Sequence, residues 1–354
     1  MAGAKDIVAV SIPFTAGVVV AALWRPGVES CFKWALACSL CSGLLFAVSC
    51  RRRKASAAIY ALYFFIGVSF FLTSCLPGAA PGREMPFRLE RLCSLIESTG
   101  YRHRETGALV EAPITGRKQG LSPEIAGWFR ASGASHILAL SGLHLGVIYA
   151  IVSRVLVVFG NGRVTLWARS ILTTAFSGAY AMMTGARPSI MRAFLFISLG
   201  ELSRLAYGRK KRPVAVLCAA LMLQLAVNPQ TINSPGFQLS YLAMLGIFII
   251  YPRLKDFHPA GGRLDLVGRI WNSAALSISC QIFTAPLVWW RFGTFPTYFL
   301  LTNLLALPLT EALMAISVLT LCLHAAGICP EALKTLNDCT AGALLDCLRV
   351  ISTM

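Results

Sequence analysis

Three polar residues interrupt an otherwise apolar stretch, H-I-L-A-L-S-G-L-H-L-G over residues 136–146: His136, Ser141 and His144. A serine near a histidine can begin a nucleophile–base pair. That chemistry needs a third group to orient the imidazole, and no carboxylate stands nearby in the sequence. Two histidines without a further ligand make a poor metal site. The spacing fits two other roles. On one helix Ser141 and His144 share a face, and His136 and His144 lie about 80° apart. Such a stripe can line a hydrated path through a membrane. It can equally be a packing seam, with Gly142 allowing close approach and Ser141 bonding to a neighbouring helix. Both readings fit the residues.

Further clusters follow along the chain. G-A-R-P-S-I-M-R-A-F, residues 185–194, places Arg187 at the end of an apolar run and Arg192 only about 6 Å deeper by helix rise. Arg192 can snorkel to the surface, or the two arginines can present a basic mouth to a phosphate backbone. N-S-P-G-F-Q-L-S-Y-L-A, residues 233–243, holds Gln238; Q-I-F-T-A-P-L-V-W-W-R-F-G, residues 281–293, holds Gln281 and ends in the interfacial pair Trp289 and Trp290. Asn303 precedes Pro308 and Glu311 in the last long apolar run. Gly142, Pro235 with Gly236, Pro286 and Pro308 are expected to break helices. Irregular backbone at membrane depth persists only against protein or a water-filled cavity, so such breaks point to a pathway.

The elements that must position these groups are set by composition. The 354 residues are 56% hydrophobic and 13% charged, half the charge density of an ordinary soluble domain, which is about 25%. The expected fold is all-α: a polytopic helical membrane protein with about ten transmembrane segments, near 7–23, 31–50, 56–76, 136–159, 164–183, 188–206, 213–227, 236–251, 271–290 and 297–325, several of them broken or re-entrant. Four regions follow. Residues 1–76 form three N-terminal spans. Residues 77–135 form an extracytoplasmic segment with amphipathic helices at 88–98 and 122–132 and with Trp128 and Phe129 at the membrane surface. Residues 136–325 form the core, and 326–354 an amphipathic tail. Most of the 12 cysteines fall in or beside apolar runs, where cysteine acts as a small hydrophobe.

Lys and Arg total 32 against 15 Asp and Glu, a net charge of +17. Basic clusters at 51–54 and 209–212 have the same loop parity, which places both, and the N-terminus, in the cytoplasm. The 253–269 loop falls on that side too. These three loops account for twelve of the basic residues, so net charge alone does not require a polyanion. The 77–135 segment, with mixed charges, falls outside.

There is no G-x-x-x-x-G-K-[ST] and no H-E-x-x-H, so no enzyme, motor, metal site or cofactor is expected in this chain. The ordered blocks G-A-S-H-I-L-A-L-S-G-L-H-L-G, A-R-P-S-I-M-R-A, S-P-G-F-Q-L-S-Y-L-A, T-A-P-L-V-W-W-R-F-G and L-L-T-N-L-L-A-L-P-L resemble those of the ComEC-type competence proteins, inner-membrane channels of bacterial DNA uptake. The resemblance spans roughly residues 105–325. Family members commonly carry an OB-like domain before the first block, and many a C-terminal metallo-β-lactamase-like domain. The 77–106 stretch is too short for the former, and no motif of the latter is present. The resemblance implies a channel in the cell inner membrane that takes up single-stranded DNA during natural transformation. His136, Ser141, His144, Arg187, Arg192, Gln238, Gln281 and Asn303 would line the path. Membrane lipid surrounds it, and a separate DNA receptor, nuclease and cytoplasmic motor serve it, with a homo-oligomer as one form. Rival readings are a small-solute or ion transporter using Glu311, His144 and Glu201 as coupling groups, and a non-transporting scaffold of the same family.

Overall fold

A computed structural model of the chain describes residues 2–24, 27–51, 56–75, 87–138, 142–158, 160, 162–207, 213–257, 266–293, 295 and 297–354. Every regular element among them is helical. In chain order these are α1 (Ala2–Trp24), α2 (Val28–Arg51), α3 (Ser56–Ser74), α4 (Phe87–Ser98), α5 (Arg104–Thr115), α6 (Pro123–Ala131), α7 (Gly142–Val157), α8 (Arg163–Met183), α9 (Pro188–Tyr207), α10 (Pro213–Val227), α11 (Pro235–Ile249), α12 (Tyr251–Lys255), α13 (Leu266–Phe292), α14 (Phe299–Ala325) and α15 (Glu331–Ser352). Two 3₁₀ turns, Ala134–His136 and Pro229–Asn233, complete them. Among the described residues three helices are long and apolar enough to cross a membrane: Asp6–Trp24, Ala57–Ser74 and Phe299–Ala325. Ser30–Phe46, His144–Val157, Pro213–Val227 and Pro235–Ile249 are shorter apolar helices. The basic clusters at 52–54 and 209–212 lie outside the described residues.

The chain divides into two compact units that are interleaved in sequence. One is Met1–Glu84 with Leu195–Tyr241; the other is Met85–Phe194 with Leu242–Met354. In the first, α1 packs on α3 at touching distance. Gly17 faces the main-chain carbonyl of Phe64, and Gly67 faces that of Phe14, so a Cβ at either position would collide with backbone. Small residues that let helix backbones meet are how apolar helices associate where no hydrophobic force separates them from lipid. Helix α10 packs on α1, and Tyr241 Oη donates to Gln224 Oε1 at 3.0 Å.

The second unit is organised around α5. Eight of its 12 residues are buried, far more than a one-sided amphipathic stripe allows. Its Leu109, Val110 and Ile114 join Phe129 of α6, Leu313 and Met314 of α14, and Leu344 and Leu348 of α15 in one core. Helices α4 and α6 form where amphipathic pattern predicts them. Ser122 caps α6 by accepting from the Ile125 N–H at 3.2 Å, with Pro123 in the first turn.

Three expectations are corrected. Phe129 is 1% exposed and belongs to this core rather than to a membrane surface; only Trp128 stays partly exposed, with the Arg349 guanidinium 5.9 Å from its ring centre. The breaks at Pro286 and Pro308 do not occur: both prolines sit inside continuous 27-residue helices. Each removes one donor, and in an apolar helix packed by neighbours the freed carbonyl can be met without ending the helix. The C-terminal segment, read as an amphipathic tail, forms the helix α15, which buries Leu344, Leu348 and Ile351. Finally, α7 begins at Gly142, whereas His136 belongs to the preceding 3₁₀ turn. The two histidines therefore do not share a helix, and their angular relation has to come from tertiary packing.

Candidate functional site

The C-terminal end of α5 shows how the second unit gathers its polar groups. A helix leaves its last four carbonyls without intrahelical partners. Here Gly116 N–H returns to Ala112 O at 2.9 Å, the imidazole of His144 bonds to the Pro113 carbonyl, and Tyr180 Oη donates to Ile114 O at 2.9 Å. The helix ends because Gly116 takes the left-handed conformation, φ 79°, which glycine adopts without a Cβ clash. That missing Cβ also makes room for Arg187. A Cβ at residue 116 would lie 2.7 Å from Arg187 Nη1, 2.9 Å from Cζ and 3.1 Å from Nη2. The guanidinium thus lies flat over the glycine.

The turn that delivers Arg187 is tight. Gly185 has φ 75° and Ala186 φ 49°, and Ala186 N–H reaches back to Ala181 O at 2.9 Å. Arg187 emerges exposed just ahead of α9. One turn deeper, Arg192 passes over Gly142. A Cβ there would sit 2.7 Å from Arg192 Nη2 and 3.0 Å from Ala193 Cβ. Gly142 is thus the close-approach position of an α7–α9 seam.

His144 is 2% exposed and ties α7 to α5, so for this histidine the packing role is the one the geometry displays. His136 is exposed, its Nδ1 3.1 Å from Gly133 O. Asn303 lies beside the His136 ring, but its Oδ1 is buried with no hydrogen bond of normal geometry among the described residues. Thr302, its neighbour, donates to Ser132 O at 2.7 Å and fixes the start of α14 against the end of α6. Gln281 on α13 likewise has a buried, unpartnered Nε2. Gln238 belongs to the first unit, where its Nε2 donates to Ile232 O at 2.7 Å and stabilises the turn before α11. Pro235 and Gly236 open α11. Ser141 lies outside the described residues. Glu201, in the first unit, pairs with Arg204 at 2.5 Å, and Glu311 is exposed on α14. No group of three or more His, Cys, Asp or Glu able to hold a metal occurs among the described residues.

Sequence reasoning missed the end of α5, together with Lys118 and Tyr180. Lys118 is exposed two residues beyond Gly116. Partial burial, and then the nearby Arg187 charge, hold its ammonium pKa below the ordinary lysine value. Arg117, between them, faces Glu111 at 4.0 Å. The available signal is Thr115-Gly116 after A-L-V-E-A-P-I, residues 108–114, where a single acid interrupts apolar residues, a helix stop in an otherwise mixed-charge segment.

The family profile described as competence protein matches residues 114–354, from the last turn of α5 onward. The chain belongs to the competence protein family. ComE operon protein 3 of Bacillus subtilis (strain 168) is 26% identical over 204 residues, covering 58% of this chain and 25% of that protein. This likeness supports the ComEC type read from the ordered blocks. An uncharacterized protein of Aquifex aeolicus (strain VF5) is 32% identical over 206 residues, covering 58% of this chain and 45% of that one. The chain spans less than half the length of these curated relatives. No solved structure matches it.

Proposed function

We propose that the chain is the membrane core of a path by which single-stranded DNA crosses the cytoplasmic membrane during natural transformation. The observation that carries this reading is the competence match over residues 114–354, which spans Gly116, His136, Arg187, Arg192, Gln281 and Asn303 alike. A polyanion cannot cross hydrocarbon, so it needs a hydrated, protein-lined route. Arg187 and Arg192 draw phosphate to one end of that route. His136, Asn303 and Gln281 offer neutral hydrogen-bonding groups along it, and neutral groups bind weakly enough to release a moving strand. The contact between Arg187 and Gly116 supports the orientation expected from the charge clusters, which puts the 77–135 segment and the Arg187 turn together outside and the N-terminus in the cytoplasm. Energy, strand degradation and capture fall to a separate motor, nuclease and receptor, and a second copy of the chain can widen the path.

The test is deletion of the gene followed by uptake of labelled DNA, measured separately in the periplasm and the cytoplasm. Periplasmic entry should persist while cytoplasmic entry is lost. Unchanged cytoplasmic entry would overturn the proposal.

A further inference from the structure

Two cations stand near each other at the end of α5. Arg187 lies flat on Gly116, and Lys118 leaves the chain two residues later, close enough for the two charges to act on each other. Among the described residues the ion pairs are Arg117 with Glu111, Arg204 with Glu201 and Lys334 with Glu331. Neither Lys118 nor Arg187 is in one. Like charges held together are unfavourable unless something negative offsets them. The C-terminal end of α5 supplies part of this, because a helix C-terminus carries about half a negative charge, though its Ala112, Pro113 and Ile114 carbonyls already accept hydrogen bonds. Half a charge offsets only a part of the two positive charges and leaves more than one uncompensated. Arg117, just before Lys118 in sequence, is already engaged by Glu111 at 4.0 Å, so the charge at this turn without a carboxylate partner among the described residues is that of Lys118 and Arg187.

We propose that Lys118 and Arg187 form a cradle for one phosphodiester of a single-stranded nucleic acid, with the main chain of Gly116 as its floor. This rests on the DNA-path reading and names the group that first holds the strand. Arg187 offers a planar fork to two phosphate oxygens, and Lys118 adds a mobile point charge from the other side. Gly116 is required twice: for its left-handed turn and for the space the guanidinium occupies.

The experiment uses the full chain, purified in a detergent with neutral headgroups, and a fluorescent oligothymidylate titrated over a range of salt. Lys118→Gln and Arg187→Gln should each weaken binding on the order of fivefold to tenfold at low salt and lower the log–log salt slope by about 0.7. Arg117→Gln, whose charge is already matched, should do less. Wild-type binding that Lys118→Gln leaves unchanged would overturn the cradle while the DNA path stands. No binding by the wild type would overturn both. If Lys118→Gln instead releases the protein from phosphatidylglycerol vesicles and leaves oligonucleotide binding unchanged, the pair holds a lipid headgroup and the cradle as proposed is wrong.

Discussion

Two asparagines of the second unit have opposite fates. Asn337, on α15, is fully buried, and both ends of its amide are used. Oδ1 accepts from Ser317 Oγ at 2.8 Å, while Nδ2 donates to Thr320 Oγ1 at 2.8 Å and to Leu333 O at 3.0 Å. Asn303 is a half-buried amide on the same α14 that supplies Ser317 and Thr320, beside the His136 ring, yet its Oδ1 has no hydrogen bond of normal geometry among the described residues. Leaving such a group unmade is worth about 1–3 kcal/mol against folding. A saturated amide fastens two helices. An unsaturated one weakens the fold slightly and keeps a hydrogen-bonding atom ready for water or a passing ligand. Helix α14 thus meets a saturated amide, that of Asn337, toward one end and carries an unsaturated one toward the other.

The sharpest way to break that comparison is by stability. Asn337→Ala strips Ser317, Thr320 and Leu333 of their partner and opens a small void, so it should lower stability by about 3 kcal/mol. Asn303→Ala should stay within about 1 kcal/mol of wild type. Thermal unfolding in detergent reads both, and equal losses would erase the distinction. Next comes transport. Asn303→Leu should leave the protein level unchanged and cut cytoplasmic DNA entry roughly tenfold, equivalent to about 1.4 kcal/mol; normal entry would make the lone Oδ1 a packing defect. The smallest effect is expected at Arg192. Entry should fall in the order Arg, Lys, Gln, with Arg192→Lys losing only a few-fold because it keeps charge without the fork. Equal activity of all three would make Arg192 a snorkelling anchor.

The sequence made the helical class plain because apolar runs dominate it, and it located α4 and α6 because their amphipathic faces and the Ser122 cap are local signals. It hid α5. A short helix buried on most sides, containing Gly107 and Pro113 and bounded by charge, looks like loop until its neighbours are known. Pro286 and Pro308 misled for the converse reason: a proline's effect depends on what packs around it. Arg187 was legible as a basic residue at a helix end, but its resting place on Gly116 was not, since the two lie far apart in the chain and only the fold brings them together. A continuous helix would set His144 and His136 on one side, as a polar stripe or as a packing seam; the fold places His136 in the Ala134–His136 turn at the surface and His144 in α7 within the packing.

The interleaving of the two units sets a timetable for assembly. Helix α1 finds one partner early, in α3, and another late, in α10, and residues 75–212 are made in between. At about 5–20 residues per second this takes roughly 7–28 s. For that interval the side of α1 destined for α10 faces lipid or an insertion factor, and the first unit cannot close. Substitutions on that face of α1 should therefore show first in newly made protein, as shortened lifetime during synthesis, before they show in the finished molecule.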